Sequence, residues 1–317
     1  FFMNKRINMN LIFRLLFISF IIIQYASAND VLDNKVVKLI TESKYEFHNQ
    51  FGQYLEILQN QIRTNYDKNG NISSVVKYNG NDQLLSKDIY FYNNDGLLFE
   101  LSRYGSDGLL IWKNIYKYGN HNHIINEASY DFDGSINWQD NFKYNHDNHL
   151  IEKTSYLKGE GNEFISQTFR YNSDKQLAKE TSYYPDGKRS SDFIYTYSSD
   201  GKLIEEKFYD YNKNLTLKDQ YKYDQKDNMT EWNLVDNNGN LINNYEGVAK
   251  KIFQYNRQGN ITDIELFDES GTVVRKILYK YGKDGRLIES VKFFIKFMFG
   301  KVHEIPLEKS SFHYERW

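Results

Sequence analysis

A tyrosine returns about every 26 residues through most of this chain, and that period constrains the fold more than any other feature. Taking the second aromatic of each aromatic-x-Tyr as an anchor gives Tyr66, Tyr92, Tyr118, Tyr144, Tyr171, Tyr197, Tyr223, Tyr255 and Tyr281. The successive steps are 26, 26, 26, 27, 26, 26, 32 and 26 residues. Two residues before the anchor stands another aromatic in eight of the nine copies, from Tyr90 to Tyr279. Six residues after it comes an aliphatic residue or Met in all nine, and four after it Gly or Asn in seven. A weaker series (Tyr78, Tyr104, Tyr130, Tyr156, Tyr183, Tyr209, Val235, Phe267, Phe293) lies 12 residues beyond every anchor. The two length changes, near LKGEGNEF and NNYEGVAK, both fall in the return half of the unit. Loop tips tolerate insertion, whereas a constant step marks a strand held in register.

Each unit therefore reads as two strands of roughly 8–10 residues joined by tight turns. Strand side chains alternate with period two, so the anchor and the aromatic two before it share one face. Corners such as NNDG and SSDG supply an Asp or Asn for turn hydrogen bonds and a Gly that accepts positive φ, and Pro185 in YPDG suits a turn. The expected fold is all-β: an antiparallel β-meander or solenoid of about nine 26-residue two-strand repeats, flat or coiled, with about 18 strands over residues 62–293. Both side-chain parities mix apolar and charged residues, so cross-strand aromatic pairs, worth roughly 0.2–1 kcal/mol each, carry much of the cohesion. Units that lean on their neighbours need covered ends. Residues 29–61 and 294–317 match the repeat poorly and are expected to be an N-terminal cap and a C-terminal cap or tail.

At the N-terminus Lys5, Arg6 and Arg14 precede an apolar run, LLFISFIII, followed by Ala26-Ser27-Ala28. The pattern is that of a signal peptide over residues 1–28. Nine apolar residues fall short of the ~20 a membrane-spanning helix needs, so no stable span is expected after cleavage. Localisation is then exported: periplasmic, cell-surface or secreted. The chain has no Cys, which removes disulfides and thiolate chemistry. Its 40 basic and 42 acidic residues are interspersed, without the basic stripe that nucleic-acid binding requires.

YKYGKDGRLIES, YTYSSDGKLIEE and FQYNRQGNITDI resemble the Tyr-Asp repeats of Rhs-type bacterial surface and toxin-associated proteins over about residues 62–293. MORN-like variant repeats are the second resemblance, through YYPDGK. The first implies β-hairpins that coil into long sheets or hollow shells in exported proteins. This unit departs from it in being a 26-residue pair of unlike halves rather than a repeat of about twenty.

Trp112 and Trp138 stand 26 residues apart after equivalent corners. With Tyr116 and Tyr118 they form a candidate stacking platform for a ligand, against the plainer reading that strand aromatics serve packing. His121, His123, His146 and His149 fall in two successive corners and are a candidate, though weak, metal site; solvated turn residues are the plainer account. The acidic corners lack the six to eight oxygen ligands of a Ca²⁺ site. No cofactor is expected, and no nucleophile elbow, phosphate loop or metalloprotease helix is present to suggest an enzyme. Two functions fit: an exported scaffold that displays its face to an extended glycan or protein, or a shell or neutralising partner associated with a toxin. A flat ribbon would favour display and a closed wall with an interior would favour enclosure. Oligomeric state is left open.

Overall fold

The computed structural model describes residues 37–317, and its regular structure is entirely β. The expected signal peptide, residues 1–28, lies outside the described residues. Twenty strands follow one another, each antiparallel to its sequence neighbours. The first, β1 (Val37–Gln50), hairpins with β2 (Gln53–Tyr66), and β19 (Leu287–Met298) hairpins with β20 (Lys301–Arg316). Strand β1 also pairs with β20, from Val37 opposite Arg316 to Glu46 opposite Glu308. That pairing closes the sheet on itself. The open solenoid of about 18 strands expected from the repeat is thus corrected to a closed up-and-down barrel of twenty. The segments expected to cap an open array instead contribute the closing strands. The physical reason is edge pairing: a closed ring leaves no unpaired row of N–H and C=O groups for a cap to cover.

The repeat maps onto this ring unit by unit. Strands β4 (Leu84–Tyr92), β6 (Leu110–Tyr118) and β8 (Ile136–Tyr144) end on their anchors. Strands β5 (Leu98–Gly105), β7 (Ile124–Asp131) and β9 (Leu150–Leu157) begin at the aliphatic residue six further on. Between them lies a turn of fixed chemistry. In the NNDG corner, the Asn93 N–H donates to the Leu97 carbonyl (2.9 Å) and the Gly96 N–H to the Asn93 carbonyl (3.0 Å). The Asn93 side chain accepts from the amides of Asp95 and Leu97. The residue four after each anchor has positive φ in all nine copies, including Lys175 (63°) and Asp227 (67°), which lack the expected Gly or Asn.

All anchors therefore sit at one end of the barrel, and the second aromatic series sits at the other. Pairing places Tyr116 opposite Glu127, Tyr195 opposite Glu206 and Tyr221 opposite Trp232. These residues, an even number of positions before an anchor together with their partners, face the interior. The alternate positions carry Lys117, Lys143, Lys222 and Lys280, exposed on the outer wall, three of them opposite Glu152, Glu231 and Glu289. Few apolar side chains are fully buried among the described residues, and most of those gather in one cluster of Trp232, Leu234, Val248, Phe253, Ile264 and Leu266. A wall one sheet thick buries its apolar area by lateral contact, not in a filled centre.

The cluster owes its depth to the six-residue insertion. Residues 236–249 join β15 (Met229–Val235) to β16 (Lys250–Tyr255), and Val248 and Ala249 are wholly buried. Backbone bonds from Leu234 to Ala249 and from Ala249 to Phe267, 2.8 Å each, tie the return of the loop into the wall.

Candidate ligand site in the barrel interior

The interior beside the inserted loop contains a cavity of about 390 Å³. Its lining comes from the interior parity: Lys251 on β16, Arg275, Ile277 and Tyr279 on β18 (Val273–Tyr281), and Ser290 and Lys292 on β19. Tyr245 and Glu246 reach it from the loop. Arg275 donates to the Glu246 carbonyl and lies 4.0 Å from its carboxylate, which fixes the loop over the cavity. Lys292 faces Glu308 at 3.6 Å. Lys251 is different. Its ammonium lies 5.0 Å from the centre of the Trp232 ring, and burial holds its pKa below the ordinary lysine range, against the opposing pull of Glu246 and Asp219. A desolvated cation beside the apolar Leu266 and Ile277 is suited to an anionic group attached to an apolar body.

A second polar cluster lines the wall between β6 and β9. Tyr116, Glu127 and Asp140 stand in successive cross-strand register. Asp140 accepts hydrogen bonds from Lys153 at 3.2 Å and Ser155 at 2.5 Å. Burial raises the Glu127 pKa, and the charge of Asp140 raises it further.

The residues singled out from the sequence divide. Trp112 and Trp138 share the interior parity on β6 and β8 with one strand between them, and their partners Asp131 and Ser129 are two residues apart on it, so their backbones are about 12 Å apart. The Arg103 guanidinium lies over the Trp112 ring at 5.0 Å while gripping Asp88 through two 2.6 Å bonds, so one face of that ring is already occupied. Tyr116 faces the lumen, with its hydroxyl beside Glu127. Tyr118 is a structural rung: its hydroxyl donates to the Leu98 carbonyl at 2.7 Å. The four corner histidines do not converge. His123 and His149 stack on Tyr144 and Tyr171 with ring centres 4.9 and 4.6 Å apart, while His121 and His146 are exposed. Among the described residues no three His, Cys, Asp or Glu side chains come together as a metal site.

The sequence reading missed Lys251, and a signal was present. Four residues before the other anchors stand Asp88, Asn114, Asp140, Gln167 and Asp219 or the apolar Ile62, Phe193 and Ile277, and Lys251 is the one cation at that inward position.

These features define a class: a closed up-and-down β-barrel of tandem two-stranded units, with a charged outer wall and an aromatic, charged lumen. No described protein family matches the sequence, and neither does any curated protein. Among solved structures the chain is similar to TcdB2-TccC3 without its hypervariable C-terminal region, with a TM-score of 0.39 and 10% identity over 83% of this chain. It spans 16% of that much longer chain. It is also similar to a Photorhabdus luminescens Tc holotoxin pore, with a TM-score of 0.40, 10% identity, 84% of this chain and 15% of that one. A porin-like protein from Bacteroides uniformis matches with a TM-score of 0.38, 12% identity, 88% of this chain and 98% of that one. Overlaps of this size leave ligand and partner to the geometry of the lumen.

Proposed function

We propose that this protein is a binding barrel that takes an extended polypeptide, carrying a carboxylate, into its lumen. The observation that supports it is the direction of the aromatic repeat. In a closed wall the rows headed by Tyr90, Tyr116, Tyr195, Tyr221 and Tyr279 point inward, together with Trp112 and Trp138. Of display and enclosure, a closed wall favours enclosure. Barrels of 16–18 strands leave an aqueous channel and those of about 22 hold a plug, so twenty strands leave room for a guest chain. Lys251 provides the desolvated cation for a carboxylate, and Leu266 and Ile277 provide apolar contact beside it. No catalytic role is proposed.

Panning a displayed library of random peptides against the barrel tests the reading. Recovered peptides should alter tryptophan emission and weaken about tenfold on Lys251→Met, the range for losing a hydrogen bond to a charged group. Recovery only of peptides that bind Lys251→Met and Trp138→Ala barrels as tightly as the parent would overturn it.

A further inference from the structure

The two closing hairpins are longer than the wall they complete. Pairing between β1 and β20 stops at Glu46 and Glu308, pairing of β2 with its other neighbour stops at Asn60, and pairing of β18 with β19 stops at Phe294. Beyond those points two separate two-stranded arms continue, residues 47–57 and 295–306. They project five to eight residues, roughly 15–25 Å, past the end of the barrel opposite the anchors.

Each arm turns on a Phe-Gly pair. Phe51 and Phe299 both have φ of 52°, followed by Gly52 at 86° and Gly300 at 73°. Two-residue hairpins of this type favour Asn or Asp at the first position, because a left-handed conformation is costly for a bulky side chain. Both rings are in full contact with solvent, at 107% and 98% exposure. Tyr54, Leu55, Ile57, Phe297 and Val302 are exposed around them. Neither arm is packed on either face at its tip, and a lone two-stranded hairpin is marginal in water. A strained, exposed aromatic repeated at two neighbouring tips points to a function for the arms.

Charge identifies the occupant. The outer stretches FHNQFGQYL (47–55) and IKFMFGKVH (295–303) contain no carboxylate; the arms' acidic residues, Glu56 and Glu304, come only nearer the wall, where Glu56 pairs with Lys309. The outer stretches carry Lys296, Lys301, His48 and His303. The acidic turn residues of that rim, such as Asp107 and Asp133, lie in short hairpins set back behind the arms. The same rim carries exposed Leu109, Phe132 and Tyr211, whereas turns at the anchor end, such as NNDG and NHDNH, are polar. Two aromatic tips free of carboxylates, one of them flanked by Lys296 and Lys301, are the composition of an element that enters the headgroup region of a bilayer. We propose that the two arms dock the barrel on an anionic lipid surface, inserting Phe51 and Phe299 and holding the anchor end away from it.

Vesicle flotation of the full chain, with phosphatidylcholine alone and with phosphatidylcholine containing phosphatidylglycerol, tests this. The chain has no Cys, so Gln53→Cys and Asp95→Cys each accept a single environment-sensitive dye. The dye at residue 53 should shift to the blue on anionic vesicles and the dye at residue 95, at the opposite end, should not. Phe51→Ser with Phe299→Ser should abolish that shift and weaken binding at the tips by at least about tenfold, as expected when a buried aromatic is lost. Lys296→Ser with Lys301→Ser should remove the preference for anionic lipid. Equal shifts on neutral vesicles, a shift at residue 95 instead of 53, or arms that remain in water would overturn the proposal. A dimer broken by the same Phe substitutions, without vesicle binding, would overturn it in favour of a second copy of the chain.

Discussion

The hydroxyl of Tyr118 donates to the carbonyl of Leu98, 2.7 Å away and 20 residues earlier in the chain. The same bond recurs from Tyr92 to Ile72, Tyr144 to Ile124, Tyr171 to Leu150, Tyr197 to Leu177 and Tyr223 to Leu203. It continues from Tyr255 to Met229, Tyr281 to Ile261 and Tyr314 to Leu287. Each joins the end of one strand to the start of the strand just before it, so the tyrosines stitch the open mouth of each hairpin along the anchor end. The acceptor is the aliphatic residue that opens the preceding odd strand, and this explains why both positions recur together in the sequence.

Removing one stitch has a defined cost. Tyr118→Phe keeps the ring and deletes only the donor, leaving the Leu98 carbonyl short of a partner. Stability should fall by about 1 kcal/mol, within the range for a lost intramolecular hydrogen bond. Urea denaturation with an unchanged slope would read this directly, and an unaltered midpoint would mean that water replaces the hydroxyl without loss.

The anchor-end turns hold two residues in the wrong backbone for their type. Lys175 and Asp227 have φ of 63° and 67° where other copies place Gly or Asn. A left-handed conformation costs an L-residue roughly 1–2 kcal/mol, partly offset by the entropy that Gly loses on folding. Lys175→Gly and Asp227→Gly should each stabilise the barrel by about 0.5–1 kcal/mol, and Gly96→Ala should destabilise it by a similar amount. Thermal melts of the three variants check the signs.

Much of this was legible because the unit is local. Anchor, corner and second series lie within 26 residues, and each hairpin registers against the next through contacts the spacing already encodes. What escaped was long-range. Tyr314 is a tenth anchor, with Phe312 two residues before it, but it stands 33 residues after Tyr281 because the β19–β20 arm lengthens the unit. Closure joins residues 37–46 to 308–316, a pairing with no local signature. Which parity faces inward follows from closure, so the lumen, Lys251 and the direction of Trp112 and Trp138 were out of reach until the ring was known.

The outer wall carries an acid-sensitive cluster of contacts around Glu231. Burial opposes ionisation of Glu231, but Lys222 at 2.8 Å, the Asn233 amide at 2.7 Å and Lys250 at 3.4 Å outweigh it. Together they hold its carboxyl down to about 2, from an ordinary 4.5. A carboxylate depressed on folding contributes stability above its unfolded pKa and loses it as pH falls through the folded value. The contribution of Glu231 should therefore be whole at pH 6 and decline between about pH 4.5 and 2. Glu231→Gln should lie below the parent in urea midpoint at pH 6, with the gap narrowing at pH 3. A constant gap would assign the effect to packing.

Lys251 has the opposite sign. A lysine whose pKa is lowered by burial costs stability while it is charged in the folded state, and that cost is relieved as pH rises through its folded value towards the ordinary 10.5. Lys251→Met should raise the urea midpoint at pH 7 while weakening the peptides recovered by panning. The gain in midpoint should shrink at alkaline pH. A residue retained at such a cost is the pattern of a binding group, where stability and function trade against each other.

The final prediction concerns closure itself. Strand β20 is held by β1 on one side and β19 on the other, with Ser310 donating to Glu42 at 2.9 Å and Lys309 to Glu56 at 2.8 Å across the seam. Deleting residues 301–317 would unpair β1 and β19 together, exposing the edges of residues 37–46 and 289–298, which carry Val, Ile, Phe and Tyr. Long unpaired edges recruit one another between chains. The truncated chain should retain β-type far-UV circular dichroism and associate into concentration-dependent oligomers by light scattering, while the parent does not. If the shortened barrel stays monomeric, β1 and β19 have found each other, and a nineteen-strand ring would have to join them in parallel, because alternation of direction closes only for an even number of strands. The two hairpin arms would then be reduced to one, so the same sample would report whether docking on anionic vesicles requires both.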